Sequence, residues 1–285
     1  MAFFISEISS NHSSDLSRIE EFIYVSKKIG CDAVKFQLFK IDKLFAPEVL
    51  KKSDKHRNRK NWELPIEFIP EIASLCKKYD IEFGCSPFYI EAVEELKSYV
   101  DFFKIASYEL LWDSLLIECA QSLKPVIIST GMATIKEIKN AVEILSVNNC
   151  KPKILHCTSA YPTPFSEANL AAIRTIRNAT NCQVGWSDHT THPGVIYRAI
   201  SKWDAKIIEF HLDLDGKGEE YQTGHCWLPN EIEPVIRYSK ESLMADGDGI
   251  KLPVQSEAND RLWRTDPTDG LRPFKKIRKS FCSEN

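Results

Sequence analysis

The sequence contains no apolar run of about 18 residues, the length that a membrane-spanning helix requires. Residues 1–7 show no charged segment followed by a long apolar run, so we expect no signal peptide. The nine cysteines are irregularly spaced and form no C-x-x-C pair, which is typical of reduced thiols and not of a disulfide framework. The formal net charge of −3 is too close to neutral for a nucleic-acid or membrane-surface binder. We therefore expect a cytoplasmic protein with no nucleic-acid and no membrane partner.

The sequence also lacks a G-x-G-x-x-G motif after its first predicted strand, which disfavours the alternative of a doubly wound open sheet. Eight short runs rich in β-branched and aromatic residues alternate with segments of helical periodicity, as in parallel strands covered on both faces. A length of 285 residues suits one α/β barrel. We predict a single-domain (β/α)8 TIM barrel over residues 1–245 and an irregular extension over residues 246–285. The predicted strands are residues 3–9, 33–39, 82–88, 102–108, 125–131, 153–161, 183–189 and 206–214.

Several charged side chains occur inside these apolar strands. Barrel enzymes carry their catalytic groups at the carboxyl ends of strands, and charged residues are seldom buried alone. We therefore expect Glu7, Lys35, Lys104 and Glu209 to share one polar centre. A lone strand lysine usually faces solvent, but two at equivalent points of two strands favour a functional role. Further candidates at strand ends are Ser86, Ser107, Glu109, Ser129, Thr130, Ser159, Tyr161 and Ser187.

Two histidines, His189 and His211, end the seventh and eighth predicted strands. Adjacent strands lie about 4.8 Å apart, so the two imidazoles could share one metal ion, although both could also be satisfied core residues. We expect His156 to point into the barrel as a structural residue. We expect Asp188 to cap the following helix, with orientation of a neighbouring residue as the alternative. His225 is interpreted as a surface or substrate-rim residue.

This mixture of side chains indicates a reaction class. Two lysines with several hydroxyls form an anion pocket suited to a phosphate or carboxylate. Two histidines with neighbouring carboxylates form a divalent site that can act as a Lewis acid on a carbonyl. An anion pocket beside a Lewis acid suggests carbon–carbon bond formation between a phosphorylated donor and an aldehyde.

A series of motifs in order over roughly residues 3–230 resembles the sialic acid synthase (N-acetylneuraminate synthase) family. The longest is H-C-T-S-A-Y-P-T-P at residues 156–164, and G-W-S-D-H-T follows at residues 185–190. The others are S-E-I-S-S-N-H at 6–12, D-A-V-K-F-Q at 32–37, S-P-F at 86–88, F-K-I-A-S-Y-E at 103–109, S-T-G-M at 129–132 and I-E-F-H at 208–211.

The resemblance implies a condensation of phosphoenolpyruvate with an N-acylated hexosamine aldehyde, which gives a nine-carbon 2-keto sugar acid and phosphate in surface-glycan assembly. It implies that His189 and His211 bind Mn²⁺ or Mg²⁺. It places Tyr161, Ser187 and Glu209 near the donor or the sugar, and Glu7 and Glu109 near the reacting centre. The positions it implies around phosphoenolpyruvate are Lys35, Lys104, Ser107, Ser129 and Ser159.

The sequence departs from this family in two places. We expect the chain to lack the family's small C-terminal domain, which offers an arginine to the partner's sugar in a dimer. Arg264 or Arg272 is our candidate for that cation, and a homodimer stays possible. The loop after the eighth strand lacks the usual Gly-Pro-Asp, and Glu219 or Glu220 is the candidate to replace its sugar-binding aspartate.

Two other functions stay open. A barrel aldolase that forms a Schiff base would use a buried lysine, and Lys104 is the candidate. A non-catalytic paralogue that binds a sugar or a protein partner is the third possibility. The presence of both histidines and both lysines argues against it, because a binding protein needs no metal.

Overall fold

The computed structural model describes residues 1–281 of the chain. These residues divide into two compact units, residues 1–243 and the residues from Met244 onward. The strands are β1 (Phe3–Glu7), β2 (Ala33–Leu38), β3 (Glu82–Pro87), β4 (Phe102–Ile105), β5 (Val126–Ser129), β6 (Lys153–His156), β7 (Val184–Asp188), β8 (Ile207–Leu212) and β9 (Cys226–Trp227).

Helices follow the strands of the first unit, and two short helices lie in the second. They are α1 (Leu16–Lys28), α2 (Ile41–Leu44), α3 (Pro47–Lys52), α4 (Asp54–Arg57), α5 (Ile69–Lys78), α6 (Glu91–Leu96), α7 (Asp113–Gln121), α8 (Ile135–Val147), α9 (Ala172–Thr180), α10 (Pro193–Trp203), α11 (Glu219–Gln222), α12 (Pro229–Glu241), α13 (Ala258–Leu262) and α14 (Lys275–Arg278). Single turns of 3₁₀ helix span Asn58–Trp62, Ile66–Phe68, Ser107–Glu109, Phe165–Glu167, Ser242–Ala245, Gln255–Glu257 and Lys279–Phe281. Over residues 1–281, no helix is long and apolar enough to cross a membrane.

The first eight strands are parallel and close into a barrel, because β1 pairs with β2 on one side and with β8 on the other. The predicted (β/α)8 barrel is therefore confirmed, and the open sheet is excluded. At the start of α8, Thr134 and Glu137 form a capping box. One element was not predicted: β9 adds parallel to β8, with Cys226 beside His211.

The barrel interior is built in layers, because residues two apart on a strand share a face. The lower layer is an apolar cluster of its own, made of Ile5, Ala33, Phe102, Ile127, Leu155 and Ile207. On β3, a Cβ added to Gly84 would lie 2.2 Å from the Phe102 ring, so the missing side chain makes room for that ring. Two residues further along β1, β2, β4, β5 and β8 lie Glu7, Lys35, Lys104, Ser129 and Glu209, all of them buried. The fold thus places a polar layer directly above an apolar floor.

The second unit is held by short-range polar contacts. The Asp266 carboxylate accepts hydrogen bonds from the backbone of Thr268 at 3.0 Å and of Lys275 at 2.8 Å. Arg278 forms an ion pair with Asp269. Arg272 is exposed, and its Nε donates to Thr265 Oγ1 at 3.3 Å.

Candidate active site

The centre of the polar layer is a carboxylate between two ammonium groups. Glu209 Oε2 lies 3.8 Å from Lys35 Nζ, and Glu209 Oε1 lies 3.9 Å from Lys104 Nζ. The exposed fractions of Lys35, Lys104 and Glu209 are 3%, 2% and 5%. Glu7 forms a further ion pair with Lys35, and Gln37 Nε2 donates to Glu7 Oε1 at 2.8 Å. Buried charges are tolerated when they are paired in this way.

Pairing and burial shift the ionisation of these groups in different directions. Burial opposes the charge of Glu209, but Lys104 and Lys35 outweigh it and lower the pKa of this carboxyl to about 2. Burial likewise opposes the charge of Lys35, but Glu7 and Glu209 outweigh it and raise the lysine pKa. For Lys104 burial prevails, and its pKa is lowered. Lys104 is therefore the less fully compensated of the two cations.

Hydroxyl groups surround the two lysines. Lys35 Nζ donates to Ser86 Oγ at 3.2 Å, and Lys104 Nζ donates to Ser129 Oγ at 2.6 Å. Ser187 Oγ donates to Glu209 Oε1 at 2.8 Å. Each ammonium group thus has a hydroxyl neighbour beside it, an arrangement suited to holding an anion's oxygens.

Two further serines approach each other across Gly131. Its backbone N–H donates to Ser107 Oγ at 3.0 Å. A Cβ at Gly131 would lie 2.0 Å from Ser159 Oγ and 2.9 Å from Ser107 Oγ, so only glycine allows both hydroxyls to come this close. Ser159 Oγ is buried and has no hydrogen-bond partner among residues 1–281, whereas Thr130 Oγ1 donates to the Leu155 carbonyl at 3.3 Å.

Glu109 ends the 3₁₀ turn that follows β4, and we had predicted strand over the first two residues of that turn, Ser107 and Tyr108. Its Oε2 is buried and has no hydrogen-bond partner in the described chain. Burial raises the pKa of this carboxyl to about 7, against the opposing charge of Lys104. A carboxyl in this range can exchange a proton near neutral pH.

The two predicted metal-binding histidines lie together at the ends of β7 and β8. The ring centroids of His189 and His211 are 5.4 Å apart, and the Tyr161 ring lies 4.4 Å from that of His189. His189 Nδ1 lies 2.9 Å from the Thr158 carbonyl, which only accepts, so Nδ1 donates and Nε2 keeps its lone pair. Burial lowers the pKa of His189 to about 3, which keeps the ring neutral. A neutral imidazole with a free Nε2 fits a divalent cation.

His211 has a carboxylate partner. Its Nδ1 lies 3.0 Å from Glu220 Oε2. Burial disfavours the charged ring, but Glu220 outweighs burial and raises the pKa of His211. In the neutral ring, Nδ1 donates to Glu220 and Nε2 keeps its lone pair, so His211 also fits a divalent cation.

Three residues near His211 were not assigned to a metal in our sequence analysis. They are Glu220, His225 and Cys226, each of which offers a ligand atom close to His211. Glu220 was considered only for sugar binding, and His225 was interpreted as a rim residue. The signal was weak because Glu220 lies in a helix of four residues, His225 in the loop after it and Cys226 in a strand of two residues, where no periodicity marks a shared face.

Asp188 and His156 differ from our expectations. Asp188 is buried on β7 and accepts hydrogen bonds from the indole N–H groups of Trp186 and Trp227, both at 3.0 Å. It does not cap α10, because the N-cap of that helix is His192. Its other donors belong to the turn that carries His189, including Thr190 Oγ1 at 2.7 Å. The expectation that His156 points into the barrel was wrong. Its Nε2 lies 3.1 Å from the carbonyls of residues 168 and 169, which precede α9.

The candidate cations of the extension lie in the second unit. Arg264 and Arg272 are both exposed there. Their assignment to a sugar stays a prediction.

The fold and this cluster of side chains define a TIM-barrel protein with buried lysines, carboxylates and imidazoles at the carboxyl ends of its strands. The profile of the NeuB family matches residues 22–251, and the chain belongs to this family. The resemblance noted in the sequence is thereby confirmed.

Relatives and solved structures agree with this assignment. An N,N'-diacetyllegionaminic acid synthase from Campylobacter jejuni is 33% identical over 267 residues, which cover 89% of this chain and 80% of the relative. An uncharacterized protein of Methanocaldococcus jannaschii is 36% identical over 258 residues, 90% of this chain and 75% of the relative. The crystal structure of an N-acetylneuraminic acid (sialic acid) synthetase from Leptospira borgpetersenii has a TM-score of 0.79 at 28% identity and covers 91% of this chain and 90% of that one.

Proposed function

We propose that this protein is a nonulosonic acid synthase. It condenses phosphoenolpyruvate with an N-acylated hexosamine aldehyde, N-acetylmannosamine or a 2,4-diacetamido relative, to give a sialic-type acid and phosphate. The observation that carries the proposal is the meeting of Lys35 and Lys104 with the neighbouring imidazoles of His189 and His211 at one end of one barrel. The named relatives, which are synthases of legionaminic, pseudaminic and sialic acids, support it.

The donor binds at the lysines. Phosphoenolpyruvate carries a carboxylate and a phosphate, and the two buried ammonium groups with their serine neighbours offer charge and hydrogen bonds to both. The unpartnered hydroxyl of Ser159 and the neighbouring Ser107 provide further donors. The anion then competes with Glu209 for the lysines, because Glu209 compensates both of them in the free protein.

The proposed reaction balances without an oxidant or reductant. The C3 atom of the enol attacks the aldehyde carbon and forms the C–C bond, water adds at C2, and the C–O bond to phosphate breaks. The lysines stabilise the anionic groups of the donor during these steps. Glu109 exchanges the proton of the attacking water, because its pKa of about 7 leaves both protonation states populated near neutrality. Glu7 holds Lys35 in its position.

The metal of this synthase is Mn²⁺ or Mg²⁺, held by His189 and His211 in this proposal. Once bound, such an ion supplies Lewis-acid chemistry toward the acceptor's carbonyl oxygen. The rings themselves are fixed, since Thr158 and Glu220 hold their Nδ1 atoms. Tyr161 lies against His189 and narrows access to it.

The acceptor end of the proposal depends on the extension. In this proposal, Arg264 or Arg272 supplies a cation to the sugar. The enzyme is cytoplasmic, takes part in surface-polysaccharide synthesis and forms a homodimer. Arg264 and Arg272 are replaced separately with alanine. The variant that lacks the sugar-binding arginine should show a raised KM for the sugar and an unchanged KM for phosphoenolpyruvate. An unchanged sugar KM in both variants would remove these two residues from the proposal.

Phosphate release from phosphoenolpyruvate tests the function directly. We expect release with at least one sugar from a panel of N-acyl hexosamines and 2,4-diacetamido hexoses, loss of release with EDTA, and its return with Mn²⁺. Lys104→Met should reduce release at least about a hundredfold, because the anion loses a buried cation. Lys78→Met, at an exposed pair with Glu20, is the matched control and should keep full activity. No release with any sugar and either metal would contradict the proposal.

A Schiff-base aldolase is the second candidate, because the lowered pKa of Lys104 is a property that such lysines share. Borohydride with pyruvate should trap a covalent adduct at Lys104 if this candidate is correct, and no adduct if the synthase is. A non-catalytic sugar-binding paralogue predicts binding without turnover. Turnover that EDTA abolishes would exclude both alternatives.

A further inference from the structure

A second set of potential ligands surrounds His211 on the side of the loop that follows β8. Glu220 belongs to α11, His225 directly precedes β9, and Cys226 is the first residue of β9. One ligand atom from each of the four side chains lies within 4.8 Å of the others. Ligand atoms held about 2.0–2.3 Å from one zinc ion lie roughly 3.4–3.7 Å apart, so small side-chain movements would close this set around an ion.

The Glu220 carboxylate is anchored so that one oxygen faces the imidazoles. Its Oε1 accepts hydrogen bonds from the hydroxyls of Ser9 and Ser10 and from the Ser10 backbone N–H. Its Oε2 lies 3.0 Å from His211 Nδ1 and 3.6 Å from His225 Nε2. The serines therefore hold the carboxylate in place, and Oε2 is directed between the two rings.

The hydrogen bonds of Thr223 decide which nitrogen of His225 carries the proton. Thr223 Oγ1 donates its one hydrogen to the Glu220 carbonyl at 2.7 Å, so it accepts from His225 Nδ1, which is 2.6 Å away. The Nε2 of the neutral ring then directs a lone pair at Glu220 Oε2. A separation of 3.6 Å is too long for a hydrogen bond but close to the spacing of two ligands of one ion.

Cys226 adds a sulfur ligand to these oxygen and nitrogen atoms. Its side chain is buried, and the pairing of β9 with β8 sets it beside His211. We propose that His211, Glu220, His225 and Cys226 form a binding site for a divalent transition metal such as Zn²⁺ or Co²⁺. A thiolate with imidazoles and one carboxylate selects such ions over Mg²⁺, which prefers oxygen ligands alone.

His211 is shared with the His189 pair, and this has a consequence for metal choice. A neutral imidazole offers one lone pair, so a metal on Nδ1 leaves the proton on Nε2, the atom needed beside His189. A transition metal in the four-residue site thus removes His211 from the pair. The proposal concerns metal binding alone, and its test needs no substrate of the reaction proposed above.

Cobalt is the probe, because a thiolate–Co²⁺ bond absorbs in the near ultraviolet. The chain is stripped with a chelator and titrated with Co²⁺ without substrates. We expect one ion per chain at the site, with a thiolate charge-transfer band. Cys226→Ser should abolish this band, whereas Cys150→Ser, at another buried thiol, should keep it. Glu220→Gln and His225→Gln should weaken Co²⁺ binding at least about tenfold, because loss of a residue that only supports a ligand already costs that much and these two residues are ligands.

His189→Gln separates this site from the predicted histidine pair. The band should persist in this variant, because His189 does not belong to the four-residue set. The proposal is overturned if the wild-type chain shows no such band, if Cys226→Ser leaves it intact, or if His189→Gln abolishes it. Circular dichroism verifies that each variant folds. Cys226→Ser is the smallest of these changes, so this variant decides the test even if another variant fails to fold. Because no substrate is present, a failure here is distinct from a failure of the synthase assay.

Discussion

Replacing Glu109 with glutamine should remove a pH-dependent loss of stability that this buried carboxyl causes. Burial raises its pKa from 4.5 to about 7, so the folded chain holds this proton more tightly than the unfolded chain does. Below pH 4.5 the proton is bound in both states and the carboxyl has no effect. As pH rises from 4.5 to about 7, the unfolded chain loses the proton first, so folding stability falls. Above that range the loss is complete.

The size of this loss follows from the gap between the two pKa values. Each pKa unit corresponds to about 1.4 kcal/mol, so the ionised Glu109 costs the folded state up to about 3 kcal/mol. Glutamine cannot ionise. The free energy of unfolding of Glu109→Gln should therefore increase by that amount relative to wild type as the pH rises from about 4 to about 8. Urea unfolding across this range measures the difference.

The exposed Glu143 of α8 provides a matched control, and Glu143→Gln should follow the wild-type profile. Parallel stability profiles for wild type and Glu109→Gln would refute the reasoning, because they would mean that this carboxyl is not held protonated by its surroundings. If Glu109 also handles the proton of water, its replacement should remove the limb near pH 7 from the rate profile of phosphate release.

Two further replacements test the contacts that shape the site. Gly131→Ala should raise the KM for phosphoenolpyruvate at least about tenfold, because the added Cβ would lie 2.0 Å from Ser159 Oγ and displace it; an unchanged KM in steady-state phosphate release would contradict the position given to Ser159. Asp188→Asn should lower the free energy of unfolding by about 2–4 kcal/mol, because an amide N–H group would face an indole donor of Trp186 or Trp227. Urea unfolding with an unchanged midpoint would show that these bonds contribute little.

The centre of the site was predictable from the sequence because its charged residues interrupt the apolar sequence of the strands that carry them. A lysine in an apolar strand, such as Lys35 or Lys104, must find partners, and the barrel brings every strand end to one cavity. The alternation of side chains then fixes which residues share a face with them. The same rule applied to His156 would have placed it with Ile154, outside the barrel, since the two are separated by one residue on β6.

The surroundings of His211 could not be predicted in the same way. Glu220, His225 and Cys226 come together through the irregular path of residues 213–225 and through a pairing of two residues. No period in the sequence encodes that path. The conformation of Ser107 and Tyr108 was missed for a related reason, because one turn of 3₁₀ helix has too few residues to carry a pattern.

The loop between β8 and β9 is fastened at its base. The Asp213 N–H donates to the Trp227 carbonyl at 2.9 Å, and Arg18 of α1 binds both Asp213 and Asp215. A segment anchored in this way cannot swing open like a hinged flap unless those contacts break first. These contacts therefore restrain the base of the loop at the mouth of the barrel. A change in which molecules this loop contacts would then require replacement of individual side chains at residues 216–225, while the strands beneath the loop stay unchanged.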